Sequence, residues 1–388
     1  MSDTPPPRLS DLLTDLGQQP SSRRAFLGRG ALGFVIGGAA LAGCRPEQGG
    51  TADSTAAGTA AGAQPARPRP RNADSKLDTA LHHPPTHGSS AVPGATTGAA
   101  ATTLHRYAPE LPPLSDQRTL RLHWRAQEVP VRISADTVVA AWTFEGDVPG
   151  PIVHCRVGDT VEFTLTNEGV IPHSMDFHAA QVDPKQAFRS VPKGESVSFT
   201  FQPKWAGAFM YHCGTAPVLM HIGTGMYGAI IVSPREPLPA AKEFVLVQSE
   251  FYLKDDDDDE DEAGDGVRAF DYEKMLTTQP DFVAFNGRPN QYIDAPIHVK
   301  VGDRVRFWLV NCGPTHACAF HVVGEQFDTV YPGAPPLTPF RGVQTWSVPA
   351  GGGMCFELVC DVPGEFPFVN HDFGHGQKGA IGFLVVDP

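Results

Sequence analysis

Positive charge is in short supply in this chain: 30 lysines and arginines stand against 43 acidic residues, a formal net charge of −13. A surface of that sign repels polyanions, so nucleic acid is excluded as a partner. Long apolar runs are also scarce. The one near the N-terminus, "ALGFVIGGAALAG", is too short for a comfortable membrane span. Helix-like stretches are few, and 40 glycines and 37 prolines punctuate the 388 residues, which favours β-structure with many turns. No two histidines are separated by a single residue. This argues against a three-metal cluster held by paired His-x-His arms and for a metal that stands alone.

The first 44 residues read as an address. Paired Arg23 and Arg24 precede the apolar stretch in "SSRRAFLGRG", as in a twin-arginine export signal, and "LAGC" resembles a lipoprotein box with Cys44 as the lipidated residue. The protein is expected to work in the periplasm or outside the cell, with a possible lipid anchor at Cys44. Residues 45–113 are rich in Ala, Gly, Thr, Pro and Ser and poor in large apolar residues, the composition of a disordered tether. The acidic run "DDDDDEDE", Asp255–Glu262, reads as a solvated loop.

The remainder contains one unit twice. "VGDTVEFTLTNEGVIPHSMDFH" (Val157–His178) matches "VGDRVRFWLVNCGPTHACAFH" (Val301–His321), "AGAFMYHC" matches "PGEFPFVNHD", and "GAIIVSP" matches "GAIGFLVVDP". Short alternating runs bounded by Gly, Pro and Asn predict strands in a sandwich or barrel. The expected architecture is all-β: two Greek-key β-sandwich domains, at 114–237 and 238–388, after the signal segment and linker. The copies diverge where Cys213 faces Asp372 and where Met226 finds no match.

That divergence lies in "YHCGTAPVLMHIGTGM" (Tyr211–Met226), which holds His212, Cys213, His221 and Met226. Cysteine, histidine and methionine spaced Cys–x7–His–x4–Met place three ligands on one loop, and His173 in "IPHSMDFH" is the candidate fourth. Two imidazoles, one thiolate and a weak thioether suit copper in an electron-transfer site, whereas zinc prefers a closed tetrahedral set without methionine. Strand parity separates a second set. His212 and Cys213 are adjacent, and His173 and His178 are an odd number apart, so each pair splits between two faces. His178 and His212 thus turn away from the first site, and His371, the repeat counterpart of His212, is the expected third ligand of a three-histidine site with an open position. Asp176 shares the face of His178, and His321 is the repeat counterpart of His178; both are candidate proton donors. The adjacency of His212 and Cys213 supplies a short covalent path between the two metals. Of the other cysteines, Cys155, Cys312, Cys318, Cys355 and Cys360, the odd count leaves at least one unpaired within the chain.

"PHSMDFHAA", "YHCGTAPVLMHIGTGMYGAIIV", "FHVVGEQFDTVY" and "VNHDFGHGQKGAIGFLVV" resemble the copper-containing nitrite reductases, over roughly Thr143 to Pro388. The resemblance implies two cupredoxin domains, a homotrimer, and reduction of nitrite to nitric oxide. It makes His173, Cys213, His221 and Met226 type 1 copper ligands. It makes His178, His212 and a neighbouring copy's His371 type 2 copper ligands, with Asp176 and His321 the catalytic pair. It also implies a small redox donor, a cupredoxin or a c-type cytochrome. The chain departs from the family pattern in "QVDPKQAF" after "DFHAA" and at Val323. A laccase-like multicopper oxidase is the alternative, against which the missing His-x-His pairs count. A non-catalytic electron-transfer cupredoxin is the other, against which the joint presence of Asp176, His178, His212, His321 and His371 counts.

Overall fold

The computed structural model describes residues 104–255, 266–334 and 338–388. The signal-like segment with Cys44, most of the tether and the acidic run beyond Asp255 lie outside them. Among the described residues no helix is long and apolar enough to cross a membrane.

Two β-sandwiches follow one another. In the first sandwich, to which the second half lends the edge strand Val267–Arg268, a five-stranded sheet runs in the order Val267–Arg268, Val138–Phe144, Thr119–Arg132, Thr160–Asn167, Ser196–Phe201. It faces a four-stranded sheet ordered Val153–Arg156, Tyr227–Ser233, Gly207–His212, Asp176–Phe177. In the second half Arg304–Gly313 and Gly353–Val359 lie at the centre of a six-stranded sheet, with Lys242–Phe251 beside Arg304–Gly313, and Gly364–Asn370 lies at the centre of a five-stranded one. The repeat extends to strand direction. Thr119–Arg132 pairs parallel to Thr160–Asn167, as Lys242–Phe251 pairs parallel to Arg304–Gly313.

Side-chain alternation explains the layering. In Thr160–Asn167 every second residue is buried: Val161, Phe163 and Leu165 enter the first core while Glu162, Thr164 and Thr166 face outward. The matching strand Arg304–Gly313 is buried along almost its whole length. Val305, Phe307 and Leu309 fill the second core, and Trp308, Val310 and Cys312 join a third apolar cluster with Met210, Tyr227 and Ile231 of the first half. The two sandwiches are therefore fused by a seam as apolar as either core. The seam is tight at Gly353, where a Cβ would come within 2.1 Å of the Ala208 carbonyl oxygen. Within the second core the Phe320 ring contacts the rings of Phe307, Phe327 and Phe356 at centroid distances of 5.6, 5.6 and 5.1 Å. Truncating such a residue to alanine costs about 3–5 kcal/mol.

The sequence pattern ends the linker too late. Residues 104–113 are laid onto the folded part rather than free of it. Val245 N donates to Pro109 O at 2.7 Å and Leu111 N to Glu243 O at 3.0 Å, and Tyr107 Oη donates to Gly150 O at 3.0 Å. Composition misses this because the attachment is made by backbone groups and a few anchors. His154 is one of them: its Nδ1–H donates to Pro112 O at 2.6 Å and its Nε2 accepts from Ser233 Oγ at 2.8 Å.

Burial pushes the proton affinity of His154 below the ordinary histidine range and Arg156 adds to this, against the Pro112 carbonyl, Glu243 and Asp159. The unfolded chain therefore binds this proton more readily. The stabilisation from neutral His154 is complete above its unfolded value, about 6.5, and is lost as pH falls. The exchange rates of the Leu111 and Val245 amides, corrected for intrinsic chemistry, should rise between pH 7.5 and pH 5 in the parent. His154→Gln should flatten that rise. Identical pH profiles in parent and variant would rule His154 out as the group responsible.

Candidate metal centres

The first centre is assembled by a loop that closes on itself. Cys213 directly follows the strand Gly207–His212, and its N–H donates to Met226 O at 3.1 Å. Met226 N donates in turn to His221 O at 3.1 Å, and His221 lies on the short helix Val218–Gly223. His173 enters from another segment, held by paired backbone hydrogen bonds with Val191 of 3.1 and 2.7 Å. Cys213 Sγ lies 3.2 Å from His221 Nδ1, and the Nδ1 atoms of His173 and His221 are 3.3 Å apart. His173, Cys213 and Met226 are fully buried, and His221 is 3% exposed. Trp142 covers the His221 ring at a centroid distance of 4.7 Å.

Burial alone would raise the Cys213 thiol, but hydrogen bonds and charge from His173 and His221 outweigh it and hold it well below the ordinary range. For His173, burial disfavours the charged ring, and Cys213 and Glu128 together reverse the direction. The metal-free site thus lowers the proton affinity of the thiol and raises that of the His173 ring. The Ser174 N–H also donates to Cys213 Sγ, at 3.3 Å. A preformed thiolate facing two imidazole nitrogens is a donor set that fits copper.

Glu128 is the residue the sequence reading missed. It is 7% exposed, and its carboxylate accepts from His173 Nε2 at 2.9 Å, Val170 N at 2.7 Å and Ile171 N at 3.3 Å. Burial opposes its ionisation, yet His173 and the two backbone donors hold its proton affinity below the usual carboxylate range. Because Nε2–H is given to Glu128, the Nδ1 lone pair of neutral His173 points at Cys213 and His221. The signal was an acid at an otherwise apolar, inward-facing point of the strand Thr119–Arg132.

The second group lies on the other side of the same strand. Asp176 pairs with His212 in the antiparallel register, and His178 N donates to Met210 O at 3.0 Å. His178 and His212 meet Nε2 to Nε2 at 3.1 Å, with Asp176 Oδ2 3.9 Å from His212 Nε2. Main-chain carbonyls decide their tautomers: His178 Nδ1–H donates to Gly351 O at 3.2 Å and His212 Nδ1–H to Cys213 O at 2.9 Å. Both Nε2 lone pairs therefore point at each other when the rings are neutral. Two acceptors at that distance repel unless a cation lies between them, so this pair also fits a metal ion. Burial lowers the proton affinity of His178 and His212 adds to this, against Asp176 and the Gly351 carbonyl. His178 opens into a groove at the seam that is also lined by Phe209, Pro332, Pro349, Gly351 and Met354.

His321 and His371 form a separate pair. His321 lies on the strand Cys318–Val322 and its Nδ1–H donates to Gln344 O at 2.6 Å. His371 N donates to Ala319 O at 2.7 Å, and the two rings are 5.2 Å apart. His371 is exposed and stacks near exposed Phe373. Within one chain, then, Asp176, His178 and His212 gather in one place and His321 with His371 in another. The regular-strand premise behind the parity reading does not hold for His173, since the strand here is only Asp176–Phe177. His173 and His178 nevertheless face different sites. Cys155, Cys213, Cys312, Cys318, Cys355 and Cys360 are all buried free thiols. Cys355 belongs to the seam cluster and Cys360 to the second core, as expected of residues facing opposite ways.

Known copper proteins resemble the chain. A family model described as multicopper oxidase matches residues 125–237. The chain is 39% identical to the copper-containing nitrite reductase of Neisseria meningitidis serogroup A / serotype 4A over 297 residues, covering 74% of this chain and 75% of the relative. Among solved structures it is similar to the copper nitrite reductase from Nitrosomonas europaea. The TM-score is 0.63 at 35% identity, over 69% of this chain and 94% of the other. It is also similar to the Cu-containing nitrite reductase from Thermus scotoductus SA-01. There the TM-score is 0.63 at 27% identity, over 69% of this chain and 62% of the other.

Glu128→Gln keeps an acceptor for His173 but removes the charge that strengthens its ring as a donor. It should weaken retention of metal at the Cys213 site by about 10–100-fold in competition with a chelator, and leave metal at the His178–His212 site in place. Unchanged retention at the Cys213 site would show that Glu128 only holds the loop.

Proposed function

The chain belongs to the copper-containing nitrite reductases, copper-dependent oxidoreductases that reduce nitrite, and from that premise we propose that it forms nitric oxide with one electron and two protons per nitrite. The observation that carries this reading is the adjacency of His212 and Cys213 with their side chains in two different donor sets. His173, Cys213, His221 and Met226 would hold a type 1 copper. His178 and His212, completed by His371 of a neighbouring copy, would hold a type 2 copper. Bound copper supplies an electron store at the first set and a Lewis acid for nitrite at the second.

The chain's own groups do the rest. The Cys213–His212 peptide link gives the electron a short covalent route between the sets. Nitrite, one electron and two protons give nitric oxide and water, so two proton deliveries are needed. Asp176, beside His212, is placed for one. His321 would supply the other, from a neighbouring copy as with His371: with its Nδ1–H given to Gln344 O, the ring would pass a proton on from Nε2. Exposure of His178, His371 and Phe373 in the single chain supports a homotrimer closed head to tail, in which each second set is shared between copies. The donor would be a small cupredoxin or c-type cytochrome. Export by the signal segment, with Cys44 as a lipid anchor, would place the reaction outside the cytoplasm.

Copper-loaded protein under anaerobic turnover with nitrite and a reduced donor should release nitric oxide. Cys213→Ser should abolish the intense visible thiolate band. Asp176→Asn and His321→Ala should keep both coppers and lose turnover by about 10²–10⁴-fold, the usual weight of a general acid. His371→Ala should lose the second copper and the trimer-dependent activity while the visible band remains. Parent-like rates in Asp176→Asn and His321→Ala would refute the proton route, and a monomer retaining the second copper would refute the shared site.

A further inference from the structure

Of the two imidazoles in the first set, His221 is the one whose ring lacks a second polar anchor. Its Nδ1 faces Cys213 Sγ at 3.2 Å and His173 Nδ1 at 3.3 Å, and its Nε2 makes no hydrogen bond among the described residues. His173, by contrast, is turned by the Glu128 carboxylate. An imidazole that ligates through one nitrogen ordinarily gives its other N–H to a carboxylate, a carbonyl or water, which fixes ring and tautomer. For His221 the chain supplies no such oxygen.

What it supplies is an indole. Trp142 meets the His221 ring at 4.7 Å and 63°, and the His173 ring at 5.9 Å and 64°. It does so from the strand Val138–Phe144, where it is the register partner of Glu128. Directly opposed residues of an antiparallel pair point to one side of the sheet. Glu128 and Trp142 therefore form one wall behind the two histidines: the acid holds His173, and the indole lies against both rings.

The main chain fixes that wall against the loop. Trp142 N donates to Thr224 O at 3.2 Å, and Thr224 caps the end of the helix Val218–Gly223 that carries His221. One residue on, a Cβ at Gly225 would stand 2.9 Å from Trp142 O and 2.6 Å from Val148 Cγ2. The φ of +127° at Gly225 is also one that favours glycine. The indole itself has no polar anchor. Its Nε1–H is buried and makes no hydrogen bond among the described residues. A buried indole N–H usually finds a partner, and leaving that bond unmade is costly, so the position keeps tryptophan for its ring.

We propose that Trp142 is a positioning residue of the first centre: its ring holds His221 in the plane that directs Nδ1 at Cys213, and keeps water from both histidines. The inference rests on the reading of this set as a type 1 copper site. The apolar shell of such a site controls solvent access and through it the potential. The oxidised metal carries more charge and gains more from water, so losing the indole favours it and lowers the potential.

The test compares Trp142→Phe, which keeps a smaller ring, with Trp142→Met, whose flexible apolar side chain fills the gap without one. Each full-length protein is loaded with copper. Trp142→Met should change the relative intensities of the visible thiolate bands and lower the midpoint potential of the first centre. It should also weaken copper retention there by about 10–100-fold in competition with a chelator. Trp142→Phe should show the same changes in lesser degree, and both variants should keep metal at the His178–His212 site. Parent values of bands, potential and retention in both variants would overturn the inference, as would changes in Trp142→Phe as large as those in Trp142→Met. If Trp142→Met does not fold, Trp142→Phe decides alone: altered bands with a lowered potential support the role, and parent values overturn it. A copper-loaded parent without the thiolate bands would refute the type 1 reading and this inference with it, whereas a parent with the bands and variants that match it would overturn this inference alone.

Discussion

A β-strand turns successive side chains to opposite sides, so two neighbouring residues cannot serve one pocket. His212 ends the strand Gly207–His212 and Cys213 directly follows it, and everything else in the two donor groups is arranged around that fact. On one side the Cys213–Met226 backbone hydrogen bond closes the loop that returns His221 and Met226. On the other the register pairing of Asp176 with His212 brings His178 alongside. A slip of one residue would exchange the two faces and dismantle both groups at once. The seam guards against it, because Ala208 and Met210 of the same strand are packed into the cluster shared by both halves.

Duplication explains why the second half is built from similar sequence yet is buried differently. Thr160–Asn167 can present Glu162 and Thr164 to solvent. Arg304–Gly313 has the first half against its second face and carries Trp308 and Val310 there. Where a charge remains, at Arg306, it is held by Glu357 at 2.7 Å and Glu243 at 3.1 Å. Breaking such a buried pair on one side leaves an uncompensated charge, at a cost of about 3–5 kcal/mol.

The two sandwiches, the Cys213 loop and the opposite facing of adjacent His212 and Cys213 were legible because they rest on period and spacing, which a sequence displays directly. Glu128 was not. Its role depends on the parallel pairing of Thr119–Arg132 with Thr160–Asn167 and on the loop beyond, a contact across 45 residues to His173 that no local pattern announces. The docking of 104–113 was hidden for a related reason: main-chain groups make most of its bonds, and these are the same for every residue type. His371 and His375 lie four residues apart. The fold separates the two by placing His375 on the helix Phe373–Gln377 against His316 and leaving His371 at the surface.

One regularity runs through all these histidines. A carbonyl oxygen can only accept a hydrogen bond, so a ring nitrogen facing one must carry the proton whatever the pH. His178, His212, His316 and His321 each give one N–H to such an oxygen, on Gly351, Cys213, Thr278 and Gln344. Each is thereby left with a single free nitrogen of known direction. His173 differs, since its partner is the Glu128 carboxylate. A charged acceptor pulls harder on Nε2–H and enriches the lone pair at Nδ1. The stronger donor stands where the buried thiolate stands, and there the negative charges of Cys213 and Glu128 together favour the more oxidised, more positive state of a bound metal. At the second set the rings are backed by neutral carbonyls and the nearby negative charge is that of Asp176, 3.9 Å from His212 Nε2, so the two sets differ in how charge reaches their donor nitrogens while sharing one peptide bond.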